Sequence, residues 1–330
     1  MEHMRHRMST APWDFGIQKE LMMVDERLHQ LVQSQEHTLT EASLHVIDAG
    51  GKRLRPTVTI LSYKSLGGSD TGTIVDIATG FELIHSATLI HDDINDGGVT
   101  RRGRETVFKK YGLHQAIVTG DFLFVKAFGI GGRYDRTVVE TTADACASVA
   151  EGEMLQNRYR HRHDLTVDEY MKVIDRKTAQ PIRAGAMVGA YLAGGEAEHI
   201  RALGGYGLNL GLAFQMVDDV LDFTGDPVRT GKPPGTDLKE GCLTLPTLIA
   251  MSGSDGVRER ILKVIAMETP SAEAIRDCAK EVLATGAIDE AMRMARERGQ
   301  EALRHLDDIS DTVHSRSLRE LVGRVLDRDS

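Results

Sequence analysis

Apolar residues recur at helical spacing through most of this 330-residue chain. Residues 17–49 carry apolar side chains at three- and four-residue steps and end at Gly50-Gly51, a pair typical of a helix terminus. The same spacing predicts long helices over 73–96 and 202–224, and the glycines of the second indicate close helix packing. Alternating runs rich in β-branched residues are few, so strands are not expected.

The C-terminal third continues this pattern, with amphipathic helices predicted over 272–306 and 315–326. Thr166, followed three residues later by Glu169, has the form of a capping box and predicts another helix start. The sequence therefore predicts an all-α protein with a single domain over residues 1–330. Its chemical motifs lie between about residue 50 and residue 250.

Composition narrows the function classes. The formal net charge of −9 and the 5% aromatic content argue against a nucleic-acid binder. Cys146, Cys242 and Cys278 are far apart, which favours a reducing cytoplasm over a disulfide framework. Neither a secretory signal nor a transmembrane segment is predicted.

Two acidic clusters end apolar helices. In each cluster the first and last aspartates are four residues apart, so they lie on one helix face, one turn apart. Such carboxylates repel each other and are costly beside apolar neighbours unless a cation compensates them. Magnesium favours one or two carboxylates plus substrate phosphates and is the simplest compensation. The clusters are Asp92-Asp93-Ile94-Asn95-Asp96 and Asp218-Asp219-Val220-Leu221-Asp222.

These clusters have other possible interpretations. One cluster alone is equally typical of a solvated helix end, but two clusters of the same form favour a metal site. A calcium loop would need a glycine at its sixth position and a distal glutamate. Glu82 and His85 have the Glu-x-x-His spacing of di-iron bundles, but that architecture needs two such motifs and we find one.

Basic residues flank the acidic clusters. A basic run is ordinarily a solvated face, but arginine and lysine beside a metal-type site suit diphosphate oxygens. His85 alone would be a core histidine, yet it lies two turns before Asp92 on roughly the same face, which makes it a candidate diphosphate donor. The basic candidates are Lys52, Arg55, Arg101, Arg102, Lys177, Lys232 and Lys239.

Together these motifs resemble the trans-isoprenyl diphosphate synthases. The resemblance implies an isoprenoid synthase-type helical bundle around a central cavity, usually a homodimer, that condenses isopentenyl diphosphate head-to-tail with an allylic diphosphate. The motifs that carry it are Gly51-Lys-Arg-Leu-Arg-Pro56, the segment from His85 to Asp96, Arg101-Arg102-Gly103, Gly120-Asp121, Lys177-Thr178-Ala179, Phe214-Gln215-Met-Val-Asp-Asp-Val-Leu-Asp222, Gly231-Lys232 to Gly241 and Thr244-Leu-Pro246.

The resemblance also implies roles for individual residues. Three magnesium ions with substrate bound would be held by Asp92, Asp96, Asp218 and Asp222, while Asp93 and Asp219 complete the two catalytic motifs. Arg101, Lys177 and Lys232 would hold the allylic diphosphate. Lys52, Arg55, His85 and Arg102 would bind isopentenyl diphosphate, and Thr178 and Gln215 would lie near the developing cation.

Product length would depend on residues that precede Asp92 on its helix. Ile84, Ala87 and Thr88 are candidates, and small side chains there predict a geranylgeranyl or longer product. Alternatively, Phe122, Phe124 or Phe128 closes the floor of the product tunnel. An enzyme with a long product could also contact a membrane peripherally.

Three features depart from the family pattern. Cys242 stands where the family usually has a lysine, so one cation on the phosphate side is missing. Pro181 follows Lys177-Thr178-Ala179 and predicts a bend. Gly97-Gly98 loosens the loop before Arg101.

Two other functions stay open. A class I terpene cyclase also ionises allylic diphosphates, but it needs no isopentenyl diphosphate site and its second metal motif usually contains Asn, Ser or Thr, and Glu. A non-catalytic regulatory subunit of a heteromeric synthase would usually lack aspartates that are present here.

Overall fold

The computed structural model describes residues 15–225 and 234–328. Helices dominate these ranges, where the strands are confined to one antiparallel ribbon, β1 (Thr100–Arg101) and β2 (Arg104–Glu105). The all-α prediction is confirmed. The α-helices are α1 (Gln18–Leu31), α2 (His37–Ile47), α3 (Leu54–Ser65), α4 (Thr71–Asn95), α5 (Val107–Tyr111), α6 (Leu113–Gly131), α7 (Arg136–Tyr159), α8 (Val167–Ile174), α9 (Gln180–Leu192), α10 (Ala197–Thr224), α11 (Thr236–Lys239), α12 (Leu245–Gly253), α13 (Asp255–Ile265), α14 (Ala272–Ala284), α15 (Ala287–Arg304) and α16 (Val313–Leu326).

The described part of the chain forms two compact units. The prediction of a single domain stays a prediction. The first unit comprises residues 15–146, 182–204 and 306–321, and the second comprises residues 147–181, 205–225, 234–305 and 322–328.

Helix α4 is the central element of the first unit and packs against α1, α3 and α6. Its side chains Ile74, Leu83 and Ile90 are fully buried. Among the described helices α4 is the one long and apolar enough to cross a membrane, but 72% of the apolar window is buried inside the protein. Core packing therefore accounts for its apolar character.

The core of the second unit joins α8, the 205–224 part of α10, and the helices α12 to α15. Met216, Leu245, Ile261 and Ala291 are among its fully buried members. Thr166 caps the start of helix α8, since its side chain accepts from the Glu169 backbone N–H while the Glu169 carboxylate accepts from the Thr166 backbone N–H. The predicted capping box is confirmed.

Two predicted helices are each divided in the structure. The run over 17–49 breaks between α1 and α2, where the Ser34 backbone N–H donates to Thr40 Oγ1 at 3.0 Å. Residues 33–36 between the two helices are all polar, so they bury no apolar side chain that would hold a continuous helix. The run over 272–306 breaks at Gly286, whose φ of +77° lies outside the helical region.

Pro181 acts on the turn before it. Residues Asp175–Ala179 form a π-helix, and the Gln180 backbone N–H bonds to the Asp175 carbonyl. Proline lacks an N–H, so the ladder of hydrogen bonds cannot continue unchanged past this point. The predicted bend is thus a π-helical turn, a feature that is frequent at functional sites, and it carries Lys177 and Thr178.

Candidate active site

In the first unit, the end of α4 presents two carboxylates on one face. Asp92 and Asp96 are half-buried, and the Asp96 backbone N–H donates to the Asp92 carbonyl at 2.9 Å, which places them one turn apart. Asp93 between them is buried and accepts from Arg101 Nε at 2.8 Å. The outer aspartates therefore face outward, while the middle one anchors a basic residue.

The β1–β2 ribbon positions the two arginines that follow α4. Arg101 ends β1, and Arg102 occupies the turn with a φ of +51°. The Arg102 guanidinium lies against Gly51, where an added Cβ would come within 2.8 Å of Arg102 Nη1. A side chain at position 51 would therefore displace the Arg102 guanidinium.

The basic run before α3 divides into buried and accessible residues. Arg53 is buried and forms ion pairs with Glu82 at 2.6 Å and Asp25 at 3.0 Å. Lys52 and Arg55 are half-buried. Glu82, whose spacing to His85 fits a di-iron motif, is thus the counter-ion of Arg53 and anchors this run to α4.

His85 lies in positively charged surroundings. Burial, and then the positive charges of Arg55, Arg102 and Arg101, hold its pKa well below the ordinary value. Its imidazole is therefore neutral at pH 7 and can donate one N–H. The structure brings together these four residues, which the sequence analysis assigned to diphosphate binding.

The predicted product-length residues follow the buried side of α4. Ala87 and Ile84 are buried, and Thr88 Oγ1 donates to the His85 carbonyl at 2.8 Å. On α6, the Phe124 ring stacks on His91 with centroids 6.0 Å apart. The product tunnel and its floor stay predictions.

In the second unit, a chain of hydrogen bonds joins α10 to its neighbours. Thr178 Oγ1 donates to Gln215 Oε1 at 2.9 Å, and Gln215 Nε2 donates to Asp219 Oδ1 at 2.9 Å. The Tyr170 hydroxyl donates to Asp219 Oδ2 at 2.5 Å. Sequence reasoning missed Tyr170, which carries no motif signal.

This chain of hydrogen bonds has unusual titration properties. Burial raises the pKa of Asp219 to about 7, although the hydrogen bonds from Tyr170 and Gln215 lower it. Burial and the charge of Asp219 raise the pKa of Tyr170 well above 10, so its hydroxyl stays a donor. The catalytic role predicted for Asp219 is untested, and its geometry is that of a buried anchor.

The outer aspartates of the second motif have different partners. Asp218 is partly exposed and pairs with Arg328 at 2.7 Å. Asp222 accepts from the backbone N–H groups of Thr236 and Asp237, at 3.1 and 3.2 Å, and so caps the short helix α11. Its predicted role as a metal ligand stays a prediction.

Arg328 was also missed, because an arginine near the end of the chain forms no motif. Its side chain is only 5% exposed and its guanidinium lies 3.9 Å from the Phe214 ring centroid. Nη2 donates to the Phe214 carbonyl at 2.5 Å, whereas Nε and Nη1 have no hydrogen-bond partner in the described ranges. Arg328 is therefore a cation placed directly against the second aspartate motif.

The predicted lysines meet different outcomes. Lys177 Nζ lies 2.5 Å from a Glu153 carboxylate oxygen and donates to Gln156 Oε1 at 2.9 Å. Lys232 lies outside the described residues. Lys239 is exposed on α11.

A cavity of about 170 Å³ lies within the second unit. It combines an apolar wall from α8 with polar and charged groups from α7, the π-helix, α10 and the segment before α12. Its polar and charged lining comprises Gln156, Tyr159, Arg160, Tyr170, Lys177, Thr178, Gln215, Asp219, Asp237, Cys242 and Thr244.

The carboxylates fit a magnesium site that phosphate oxygens complete. Across residues 15–225 and 234–328, three or more protein donors are nowhere grouped as a preformed metal site. Magnesium is commonly held by one or two carboxylates, with waters and substrate phosphates as its other ligands. The half-buried pair Asp92 and Asp96 offers such a donor set.

Comparison with known proteins gives consistent matches. Residues 36–282 match the sequence model of the polyprenyl synthetase family. The chain is 38% identical over 326 residues to a short chain isoprenyl diphosphate synthase from Methanothermobacter thermautotrophicus, covering 95% of this chain and 98% of that protein. It is 34% identical over 317 residues to heptaprenyl diphosphate synthase component 2 from Geobacillus stearothermophilus, covering 94% and 96%.

A solved structure shares the fold. The polyprenyl synthase from Caulobacter crescentus CB15, in complex with calcium and isoprenyl diphosphate, matches with a TM-score of 0.90. The two chains are 32% identical, and the match covers 95% of this chain and 96% of the other.

Proposed function

The chain belongs to the polyprenyl synthetase family, and we propose how its residues carry out that family's reaction. It is a magnesium-dependent trans-prenyltransferase that condenses isopentenyl diphosphate head-to-tail with an allylic diphosphate. The observation that carries the residue assignments is the end of α4, where Asp92 and Asp96 lie one turn apart. Arg101 is fixed beside them through Asp93.

The reaction begins when the carbon–oxygen bond of the allylic diphosphate breaks. Asp92, Asp96 and Asp218, with Asp222, would hold three magnesium ions. When bound, these ions neutralise the charge that develops on the departing diphosphate. Arg101, Lys177 and Lys232 would bind the same diphosphate, and the contact of Arg101 with Asp93 supports its assignment because it fixes the guanidinium at this site.

A second basic set would hold isopentenyl diphosphate. Lys52, Arg55, Arg102 and the neutral His85 supply donors for its phosphate oxygens, and burial of Arg53 against Glu82 keeps the run in place. Such positioning holds the double bond of isopentenyl diphosphate next to the allylic cation, so the two reactants need not meet by diffusion.

Polar oxygens would lie near the developing cation. The Gln215 side-chain carbonyl is held by Thr178, and the Gln215 amide is held by Asp219, so its dipole has one orientation. After bond formation a proton leaves the condensed product, and the released diphosphate is its acceptor. No side-chain base is assigned.

The product is proposed to be of geranylgeranyl length or longer. Small or short side chains at Ala87 and Thr88 support an open tunnel, and Ile84 borders the same helix side. Phe124, stacked on Phe128 with centroids 6.1 Å apart, is the alternative floor. Variant F124A separates these two explanations, since it should lengthen the product if Phe124 is the floor and leave the product length unchanged if the tunnel is open past it.

A homodimer is part of the proposal. Exposed apolar residues form a stripe on α6, with Val125 exposed by 64% and Phe128 by 51%. An apolar helix face of this kind is typical of an interface. Light scattering should show a dimer for the wild type and a monomer for V125E.

Cytoplasmic location is also proposed, with free cysteines at 146, 242 and 278 as support.

The test is product analysis by mass spectrometry. Purified protein is incubated with isopentenyl diphosphate, each allylic starter in turn, and magnesium. We expect a series of products that differ by five carbons and end at geranylgeranyl length or above. A cyclised hydrocarbon would instead indicate a terpene cyclase, and absence of any product from the isolated chain would indicate a regulatory subunit of a heteromeric synthase.

A further inference from the structure

The end of α7 is fixed against the segment that precedes α12. His161 has a φ of +59°, which ends the helix, and its backbone N–H donates to the Gly241 carbonyl at 2.9 Å. Its Nδ1 lies 2.6 Å from the Ile265 carbonyl oxygen. An added Cβ on Gly241 would lie 2.3 Å from the His161 ring, so only glycine permits this approach.

This pairing brings Arg160 and Cys242 to one cavity. Each is the chain neighbour of a residue in the His161–Gly241 hydrogen bond, and both line the 170 Å³ cavity of the second unit. The same cavity is lined by Lys177 and Thr178 of the π-helix. Arg160 Nε is inaccessible to solvent, so the base of the guanidinium is held inside the protein.

Arg160 is a source of positive charge in this cavity. Lys177 is compensated by Glu153 at 2.5 Å, and Asp237 adds a further carboxylate to the wall. A cysteine thiol at position 242 brings no positive charge. Arg160 is the one arginine in the lining, and its guanidinium stays charged at every physiological pH.

A helix-end role alone explains less. Arg160 follows the last residue of α7, where a cation interacts favourably with the helix dipole. An exposed arginine would serve that purpose equally well, as Arg158 does on the last turn of the same helix. The dipole gives no reason for an arginine that lines a cavity beside Lys177, Thr178 and Gln215.

We propose that Arg160 is a further binding residue for the diphosphate of the allylic substrate and supplies the positive charge that Cys242 does not. The inference rests on the proposed function, because it places that diphosphate beside Lys177. The planar guanidinium can donate two parallel hydrogen bonds to phosphate oxygens, which a lysine cannot. The family resemblance implies a lysine at position 242. A cation at position 160 thus reaches the same diphosphate as a lysine at position 242 would.

The experiment compares R160Q, C242K and the double variant R160Q/C242K. Isothermal titration with inorganic diphosphate and magnesium measures binding without turnover. We expect R160Q to bind diphosphate about tenfold more weakly, as loss of one charge-assisted contact implies. C242K alone should bind at least as tightly as the wild type, and the double variant should recover most of the loss.

Kinetics give a second readout. R160Q should raise KM for the allylic diphosphate and leave KM for isopentenyl diphosphate within about twofold. R158Q, on the exposed side of α7, is the matched control and should behave as the wild type. R160K keeps a positive charge at this position. Comparison of its thermal melting curve with that of R160Q shows whether a cation is needed for folding.

The outcomes separate cleanly. Unchanged diphosphate binding in folded R160Q, or failure of C242K to rescue it, would overturn the inference. If the wild type bound diphosphate in an Arg160-dependent way but made no prenyl product, Arg160 would remain a diphosphate-binding residue and the proposed function would fail.

Discussion

The two aspartate motifs share one sequence pattern but are built differently. In the first, the middle residue Asp93 pairs with the charged Arg101. In the second, the middle residue Asp219 accepts from the neutral groups of Tyr170 and Gln215. A repeated motif therefore fixes the spacing of carboxylates but not their electrostatic surroundings, which depend on what the fold packs against each helix.

The outer carboxylates extend this comparison. Asp92 and Asp96 are both half-buried at the end of α4. In the second motif Asp218 has an internal counter-ion, Arg328, and Asp222 caps α11. A metal at the second motif must therefore compete with bonds that the protein already makes.

The largest expected effect comes from removing one outer carboxylate from each motif. D92N and D218N should each lower kcat/KM by about 10³-fold or more, because each removes charge that holds the metal against the leaving group. Steady-state kinetics at saturating magnesium measure this loss. A decrease below tenfold for either variant would mean that its motif is not part of the metal site.

The middle aspartates should differ in their contribution to stability. D93N leaves Arg101 without its carboxylate and should lower the free energy of unfolding by about 2 kcal/mol, as measured by urea denaturation. D219N should lower it by less than about 1 kcal/mol, since a flipped Gln215 and the Thr178 hydroxyl can restore every hydrogen bond with an asparagine. Equal losses would contradict the distinction between charged and neutral anchoring.

These contrasts show what the sequence could and could not predict. The helical period alone places Asp92 and Asp96 on one face, and the capping box at Thr166 is equally local. Tyr170 is 49 residues from Asp219 in the chain, so their contact depends on packing that no local pattern encodes. Pro181 was expected to bend a helix, but the π-helical turn before it depends on how the hydrogen bonds rearrange.

Removing Arg328 tests the competition at the second motif. R328Q should raise the affinity of the substrate-free protein for Mn²⁺ about fivefold, because the metal no longer displaces a charge-assisted hydrogen bond from Asp218. Electron paramagnetic resonance of free Mn²⁺ measures this binding. R316Q, which changes an exposed arginine of helix α16, is the control and should leave the affinity unchanged.

His85 offers the smallest and most local test. Its pKa in the folded state lies well below 6.5, so it should stay neutral as the pH falls through 6.5, where exposed histidines gain a proton. This group contributes stability above pH 6.5 that is lost as the pH falls toward its folded-state pKa. NMR titration of the His85 ring protons, assigned with H85Q, should show no change down to pH 6. A midpoint near 6.5 would contradict the positive surroundings assigned to it.

The most direct test of the account is incorporation of isotopically labelled isopentenyl diphosphate by the purified chain. With an allylic starter and magnesium, the product mass should rise by one labelled five-carbon unit per condensation. Incorporation should stop when magnesium is removed and should be largely lost in D92N and D218N. Consumption of the allylic diphosphate without label in the product, or full incorporation by either variant, would contradict the account.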